Sequence, residues 1–128
     1  MDEKQDGMYV MGVVEAHFAD LIWQHEPIPS GELVKLAAAE LQWKKSTTYT
    51  VLRKLCEKGI FSNEGSIVTA RLSKADYEGR QSRRFVQENF EGSLPRFLAA
   101  FAGSDRLSEE EVAALRRLIA ENGGDPNE

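Results

Sequence analysis

Trp43-Lys44-Lys45-Ser46-Thr47-Thr48-Tyr49-Thr50-Val51-Leu52-Arg53-Lys54-Leu55-Cys56-Glu57-Lys58-Gly59 is the stretch whose pattern decides the fold. Thr48, Val51, Leu52 and Leu55 fall at offsets of 0, 3, 4 and 7, which is the inward stripe of an α-helix. Ser46-Thr47 is a capping signal at its start, and Gly59 can take the left-handed conformation that closes a helix after Lys58. The opposite face carries Ser46, Tyr49, Thr50, Arg53 and Lys54, all hydrogen-bonding or cationic. Such a face is either simply solvated or presented to a polyanion, and the flanking elements bear on which.

Downstream, Ile60-Phe61-Ser62 and Ile67-Val68-Thr69-Ala70-Arg71-Leu72 read as two short strands around a turn at Asn63-Glu64-Gly65-Ser66. Upstream, Val10 to His25 places Val10, Val14, Phe18, Leu21 and Ile22 at helical spacing, with Trp23 beside them. Pro27 and Pro29 must interrupt that helix, because each removes a backbone donor and pushes its predecessor toward extended geometry. Ser30 then stands where a helix cap belongs, and Leu33, Leu36, Ala37 and Leu41 give a second helix its buried stripe. Three helices followed by a hairpin make a winged helix. The expected fold class is therefore mainly α: a winged helix-turn-helix over residues 8–72, then a helical region over 73–122, with tails at 1–7 and 123–128.

The second half is helical throughout. Lys74 to Phe90 aligns Tyr77, Phe85, Val86, Asn89 and Phe90, with Gly79 a weak point. A helix starting near Ser93, with Pro95 tolerated in its first turn, carries Leu94, Phe97, Leu98 and Phe101. Ser108 and Glu111 fit a capping box for a last helix that aligns Val112, Leu115, Leu118 and Ile119. These stripes expose more apolar surface than one small winged helix can cover, so a second copy of the chain is the economical partner. Folding back onto the winged helix of the same chain is the alternative.

Composition narrows the function classes. A chain of 128 residues holds one good core, or one small domain with an appendage. No apolar run approaches the roughly 20 residues a membrane span requires. Met1-Asp2-Glu3-Lys4-Gln5-Asp6 is too acidic for a signal peptide, so a cytoplasmic protein is expected. The single Cys56 supplies neither an internal disulfide nor a thiolate cluster for a metal, and reads as a small apolar residue. His17 and His25 lie two turns apart on one helix, about 12 Å, too far to share one ion. There is no phosphate-binding glycine loop and no nucleophile elbow, and Glu109-Glu110-Glu111 complements a helix N-terminus. No metal, cofactor or catalytic residue is expected, and the chain is not read as an enzyme.

The net charge of -5 argues at first against nucleic acid, which requires local positive potential. Its distribution reverses that argument. Residues 1–43 carry -6, whereas Lys44, Lys45, Arg53, Lys54 and Lys58 against Glu57 give residues 44–58 a charge of +4. In a helix-turn-helix the second helix of the unit enters the major groove with its N-terminal residues against base edges. Ser46, Thr47, Tyr49 and Thr50 would then face bases, while Lys44, Lys45, Arg53 and Lys54 would hold phosphates of a double-stranded DNA operator. The competing reading is a winged-helix adaptor that binds another protein, which the acidic total and an Asn63-Glu64-Gly65-Ser66 turn without a cation would suit.

Several of these residues stand in an order that resembles one family. Glu15 through Leu21-Ile22-Trp23, then Trp43, Thr47, Thr50, Leu52, Leu55 and Lys58-Gly59, is similar to the penicillinase-repressor family. Phe90-Glu91-Gly92-Ser93-Leu94, Phe97-Leu98-Ala99-Ala100-Phe101 and Leu107-Ser108-Glu109-Glu110-Glu111 extend the likeness over about residues 10–121. The resemblance implies a sequence-specific transcriptional repressor, homodimeric on a palindromic operator, with an N-terminal winged helix and a C-terminal dimerisation region. Thr47 and Thr50 match the family's major-groove threonines and Lys54 a basic backbone contact. Tyr77, Phe85, Val86, Phe90, Leu94, Phe97, Leu98, Phe101, Val112, Leu115, Leu118 and Ile119 fall in the dimerisation region. In antibiotic-responsive members a membrane sensor protease leads to inactivating cleavage at the position of Ala100-Phe101. This chain departs from the pattern at three places. Lys44-Lys45-Ser46 replaces the frequent Ser-Pro-Lys, the wing turn Asn63-Glu64-Gly65-Ser66 is not basic, and Ala100 replaces the usual Asn. The Cys-rich C-terminal motif of copper-responsive members is missing, so copper sensing is not expected.

Overall fold

The computed structural model describes residues 11–123. Residues 1–10, among them the expected tail at 1–7, and residues 124–128 of the expected tail at 123–128 lie outside them, while Gly123 caps the last helix. The element order is α1 (Val13–His25), β1 (Ile28–Pro29), α2 (Ser30–Leu41), α3 (Lys45–Glu57), β2 (Phe61–Glu64), β3 (Ile67–Ala70), α4 (Lys74–Phe90), α5 (Leu94–Ser104) and α6 (Glu109–Asn122). This is the mainly helical winged helix with a following helical region that the sequence predicts. The described residues divide into two compact units between Arg84 and Phe85, a division inside α4.

The first unit is built on a core of Phe18, Ala19, Ile22, Ile28, Leu33, Ala37, Leu52, Leu55, Ile60, Phe61, Val68 and Tyr77. The α3 stripe predicted from spacing is inward: Thr48, Leu52 and Leu55 are buried and Val51 packs at its margin. Burial obliges the Thr48 hydroxyl to find a partner, and it donates to the Lys44 carbonyl at 3.0 Å. Gly59, at φ 84°, closes α3, and the Ile60 amide reaches back to the Leu55 carbonyl. Gln42 does the same for α2 in the left-handed region at φ 58°, with the Trp43 amide bonded to the Ala37 carbonyl. That turn delivers the Trp43 ring onto Phe18, 5.0 Å between centroids, and so fixes where α3 begins.

Three local expectations change. Ser30 is the first residue of α2 rather than its cap, which is Pro29. Likewise Lys44, in extended geometry, caps α3 with no side-chain bond, so Ser46 and Thr47 lie inside the helix. Val14 is exposed, because the core side of α1 runs through Phe18, Ala19 and Ile22. The wing also has a third strand: β1 pairs antiparallel with β3, Ile28 opposite Val68, giving the order β1-β3-β2. The β2–β3 turn narrows to Gly65-Ser66, both at positive φ as a two-residue type I′ hairpin demands. The Ser66 carbonyl accepts the Ser30 amide at 2.8 Å, tying the wing tip to the start of α2.

Tyr77 was expected on the dimerisation face, and its position corrects that expectation. It is buried in the first unit, its ring 5.9 Å from Trp23 and its hydroxyl accepting the Met11 amide at 3.3 Å. Helical spacing placed it on the α4 stripe but could not say which core that end of the stripe joins. Burial, followed in size by the Met11 hydrogen bond acting oppositely, leaves the phenol's pKa raised. Tyr77→Phe is expected to lower stability by about 1 kcal/mol, read as a fall in urea midpoint at constant slope. An unchanged midpoint would show that the hydroxyl contributes nothing net.

In the second unit the expected capping box of α6 is present, and α5 begins at a serine cap where a start near Ser93 is expected. Ser93 accepts the Arg96 amide at the head of α5, and Ser108 and Glu111 close a reciprocal capping box on α6. Phe85, Phe90 and Phe97 form an aromatic cluster with centroids 5.5 to 6.1 Å apart, extended by Phe101 at 6.1 Å from Phe97. Yet neither α5 nor α6 buries a single residue.

Candidate nucleic-acid interface

Helix α3 displays the predicted surface with one exception. Lys44, Lys45, Ser46, Thr47, Thr50, Arg53 and Lys54 are exposed. Thr47, Thr50 and Lys54, at offsets of 0, 3 and 7, share one stripe pointing away from the core stripe of Thr48, Leu52 and Leu55. Because no side chain caps α3, the amides of its first turn up to Thr47 have no cap partner, and Thr48 is the first to bond back, to Lys44. A helix start of that kind, flanked by Lys44 and Lys45, is suited to an anion.

Tyr49 is the exception. Its ring packs at the core margin and its hydroxyl donates to Ser30 Oγ at 3.2 Å, so it links α3 to α2. Arg53 lines a shallow cleft of about 350 Å³ with Tyr49, Leu52, Cys56 and the wing residue Asn63. Within that cleft burial, then the neighbouring Glu57 charge, pushes the Cys56 thiol pKa up, so the sulfur stays protonated at neutral pH. Asn63, Glu64, Gly65 and Ser66 are all exposed, and the only charge among them is negative.

Two contacts of Glu15, one of them to this face, escaped the sequence reading. Lys54 Nζ lies 3.3 Å from Glu15 Oε2 on α1, and Glu15 Oε1 accepts the Gly12 amide at 3.1 Å. The Gly12-to-Glu15 spacing of a capping box was the available signal for the second contact, though nothing local announces a partner 39 residues away. At the other end of α1, Lys74 pairs with Asp20 at 2.9 Å; that hydrogen bond, with the carboxylate's charge, raises the lysine pKa. His25 Nδ1 sits 2.9 Å from the Leu21 carbonyl oxygen, and no group of three or more metal-ligating side chains occurs among the described residues.

The remaining site residues lie in the second unit. Phe85, Phe101, Leu118 and Ile119 are 50 to 59% exposed, and Leu94 is similarly open. Val86, Phe90, Phe97, Leu98, Val112 and Leu115 are half-buried. Phe97, Leu98, Phe101, Leu107, Ala114 and Leu115, with Glu111 the one charged residue, line a mainly apolar groove of about 330 Å³ between α5 and α6. Ala100 and Phe101 occupy the interior of α5, where the backbone is helical.

The wing, and a second helix of the helix-turn-helix pair that turns a polar and cationic face to solvent, define a winged-helix regulatory protein. More narrowly, the chain belongs to the penicillinase repressor family, whose profile matches residues 11–121. It is a family of transcriptional repressors, not of enzymes. The chain is 28% identical to the penicillinase repressor of Bacillus licheniformis over 112 residues, covering 84% of this chain and 88% of the relative. It is 20% identical to the methicillin resistance regulatory protein MecI of Mammaliicoccus sciuri over 123 residues, covering 93% and 98%. Among the described residues no helix is long and apolar enough to cross a membrane.

Proposed function

We propose that this chain is a cytoplasmic repressor that binds a palindromic DNA operator as a homodimer, residues 8–72 reading DNA and 73–122 pairing the subunits. The observation that carries the reading is the exposed stripe of Thr47 and Thr50 on α3, flanked by Lys44, Lys45 and Arg53. Thr hydroxyl and methyl groups read base edges, and the cations with the uncapped first-turn amides hold the phosphates that set register. Ser46 joins them at the helix start, while Tyr49 supports α3 from behind through Ser30. The acidic wing turn gives phosphate no cation, so affinity rests on α3.

Release by proteolysis fits the same frame. Scission between Ala100 and Phe101 would separate Phe101 and α6 from the Phe85, Phe90 and Phe97 cluster, dismantling the second unit's apolar face. A protease binds extended chain, so α5 would have to unwind locally first, and a membrane sensor protease is the partner that family membership suggests.

The test is a gel shift with DNA from immediately upstream of the chain's own gene against an unrelated duplex, at two salt concentrations. Retention of the upstream DNA alone at the higher salt is expected. Simultaneous loss of both complexes would reduce the reading to nonspecific phosphate contact. No shift at either salt would favour the protein-adaptor reading, which the negative wing and the net charge of -5 support.

A further inference from the structure

We propose that Glu15 is a positioning residue that acts through Lys54, holding it in an intramolecular ion pair which a DNA phosphate must displace, and so lowers affinity for all DNA alike. The inference rests on the DNA-binding reading above and adds a device that sets the overall affinity for DNA. Lys54 follows Thr50 by one turn on the same stripe of α3, about 6 Å further along the axis, where a phosphate contact is expected. Its ammonium is instead 3.3 Å from Glu15 Oε2, with the lysine side chain 50% and the glutamate 21% exposed. The carboxylate is not a loose surface group, since its other oxygen accepts the Gly12 amide at the start of α1. Burial and that second bond fix Glu15 in place, so the pair loses little side-chain entropy in forming.

The competition has a definite sign. Any duplex, whatever its sequence, gains a Lys54–phosphate contact only by giving up the Lys54–Glu15 contact, and it meets a fixed negative charge next to the stripe. Base reading by Thr47 and Thr50 is untouched, so the penalty falls equally on all DNA. An even penalty leaves the ratio of operator to random affinity unchanged and lowers the absolute affinity for both. Glu15→Gln keeps an oxygen for the Gly12 amide and removes the charge alone.

The experiment is fluorescence anisotropy of the full chain and its variants on a short unrelated duplex and on the upstream DNA, across a salt series. Glu15→Gln is expected to bind the unrelated duplex roughly 2- to 5-fold more tightly at low salt. Its plot of log affinity against log salt should steepen by about 0.9, the release of one further counterion, a readout that a purely structural role of Glu15 would not move. Lys54→Gln should lower affinity for both duplexes, and by more in the Glu15→Gln background than in the parent. Parent binding accompanied by identical slopes and affinities for Glu15→Gln would overturn the competition alone. So would a Lys54→Gln loss as large in the parent as in the Glu15→Gln background, a comparison that holds even if one variant is less stable. Absence of binding by the parent to either DNA would overturn the DNA-binding reading and the competition with it.

Discussion

Thr47→Ala combined with Thr50→Ala is expected to weaken binding to the upstream operator by roughly 30-fold while leaving an unrelated duplex within about 2-fold. Each threonine offers one hydroxyl and one methyl to a base edge, so a loss of about 1 kcal/mol per residue is appropriate, below that of a bidentate pair. Both positions are exposed and make no contact with the core stripe. Alanine is also the better helix former, so α3 should survive the change and folding cannot account for the loss. Anisotropy titrations on the two duplexes at one fixed salt provide the measurement. Equal losses on both would mean that the threonines touch backbone only, and that sequence is read elsewhere or through DNA shape.

Leu118→Asp is expected to raise the dimer dissociation constant by more than about 100-fold. Leu118 and Ile119 are 56% and 59% exposed in the single chain, so a carboxylate at 118 is solvated and harmless there. In a dimer that covers the α6 stripe, the same carboxylate would be buried without a partner, at a cost of at least 3 kcal/mol. Sedimentation equilibrium distinguishes the states, with helix content by circular dichroism as the folding control. Operator affinity should fall in parallel, because two linked reading heads engage two half-sites with an effective concentration that separate ones lack. A dimer unaffected by the change would place the interface on the α5 side of the groove, at Phe97, Leu98 and Phe101. A parent chain that is already monomeric would return the apolar stripes to the fold-back alternative.

Much of the fold was legible because a few residues act through geometry that sequence spacing encodes directly. The offsets of Thr48, Leu52 and Leu55 fix the buried side of α3, and Gly59 and the Ser108–Glu111 box mark helix ends by chemistry available to few residues. β1 was not legible, since two residues next to prolines show no alternation and owe their strand geometry to a partner some 40 positions away. Nor were the caps of α2 and α3, where Pro29, the last residue of β1, and Lys44 adopt extended geometry with no side-chain cap bond. Capping propensity for serine and threonine pointed one to three residues too late.

The candidate interface divides in the same way. Which residues of α3 face outward follows from its own period, and so Thr47, Thr50 and Arg53 were accessible to inspection of one segment. What those residues are tied to depends on other segments: Tyr49 to Ser30, Lys54 to Glu15. Tyr77 failed for a related reason, as periodicity along α4 is continuous across the division between the two units while the packing is not.

The placement of the indoles has an optical consequence. Both tryptophans belong to the first unit: Trp23 donates its Nε1–H to the Leu72 carbonyl at 2.9 Å and Trp43 lies against Phe18. The second unit has aromatic rings in quantity, but all four of its clustered side chains are phenylalanines, nearly silent under excitation at the red edge of indole absorption. The chain is thus labelled by its own composition at one end only. Its emission reports the surroundings of the first unit, while changes at the apolar faces of α5 and α6 pass unseen unless they disturb that unit.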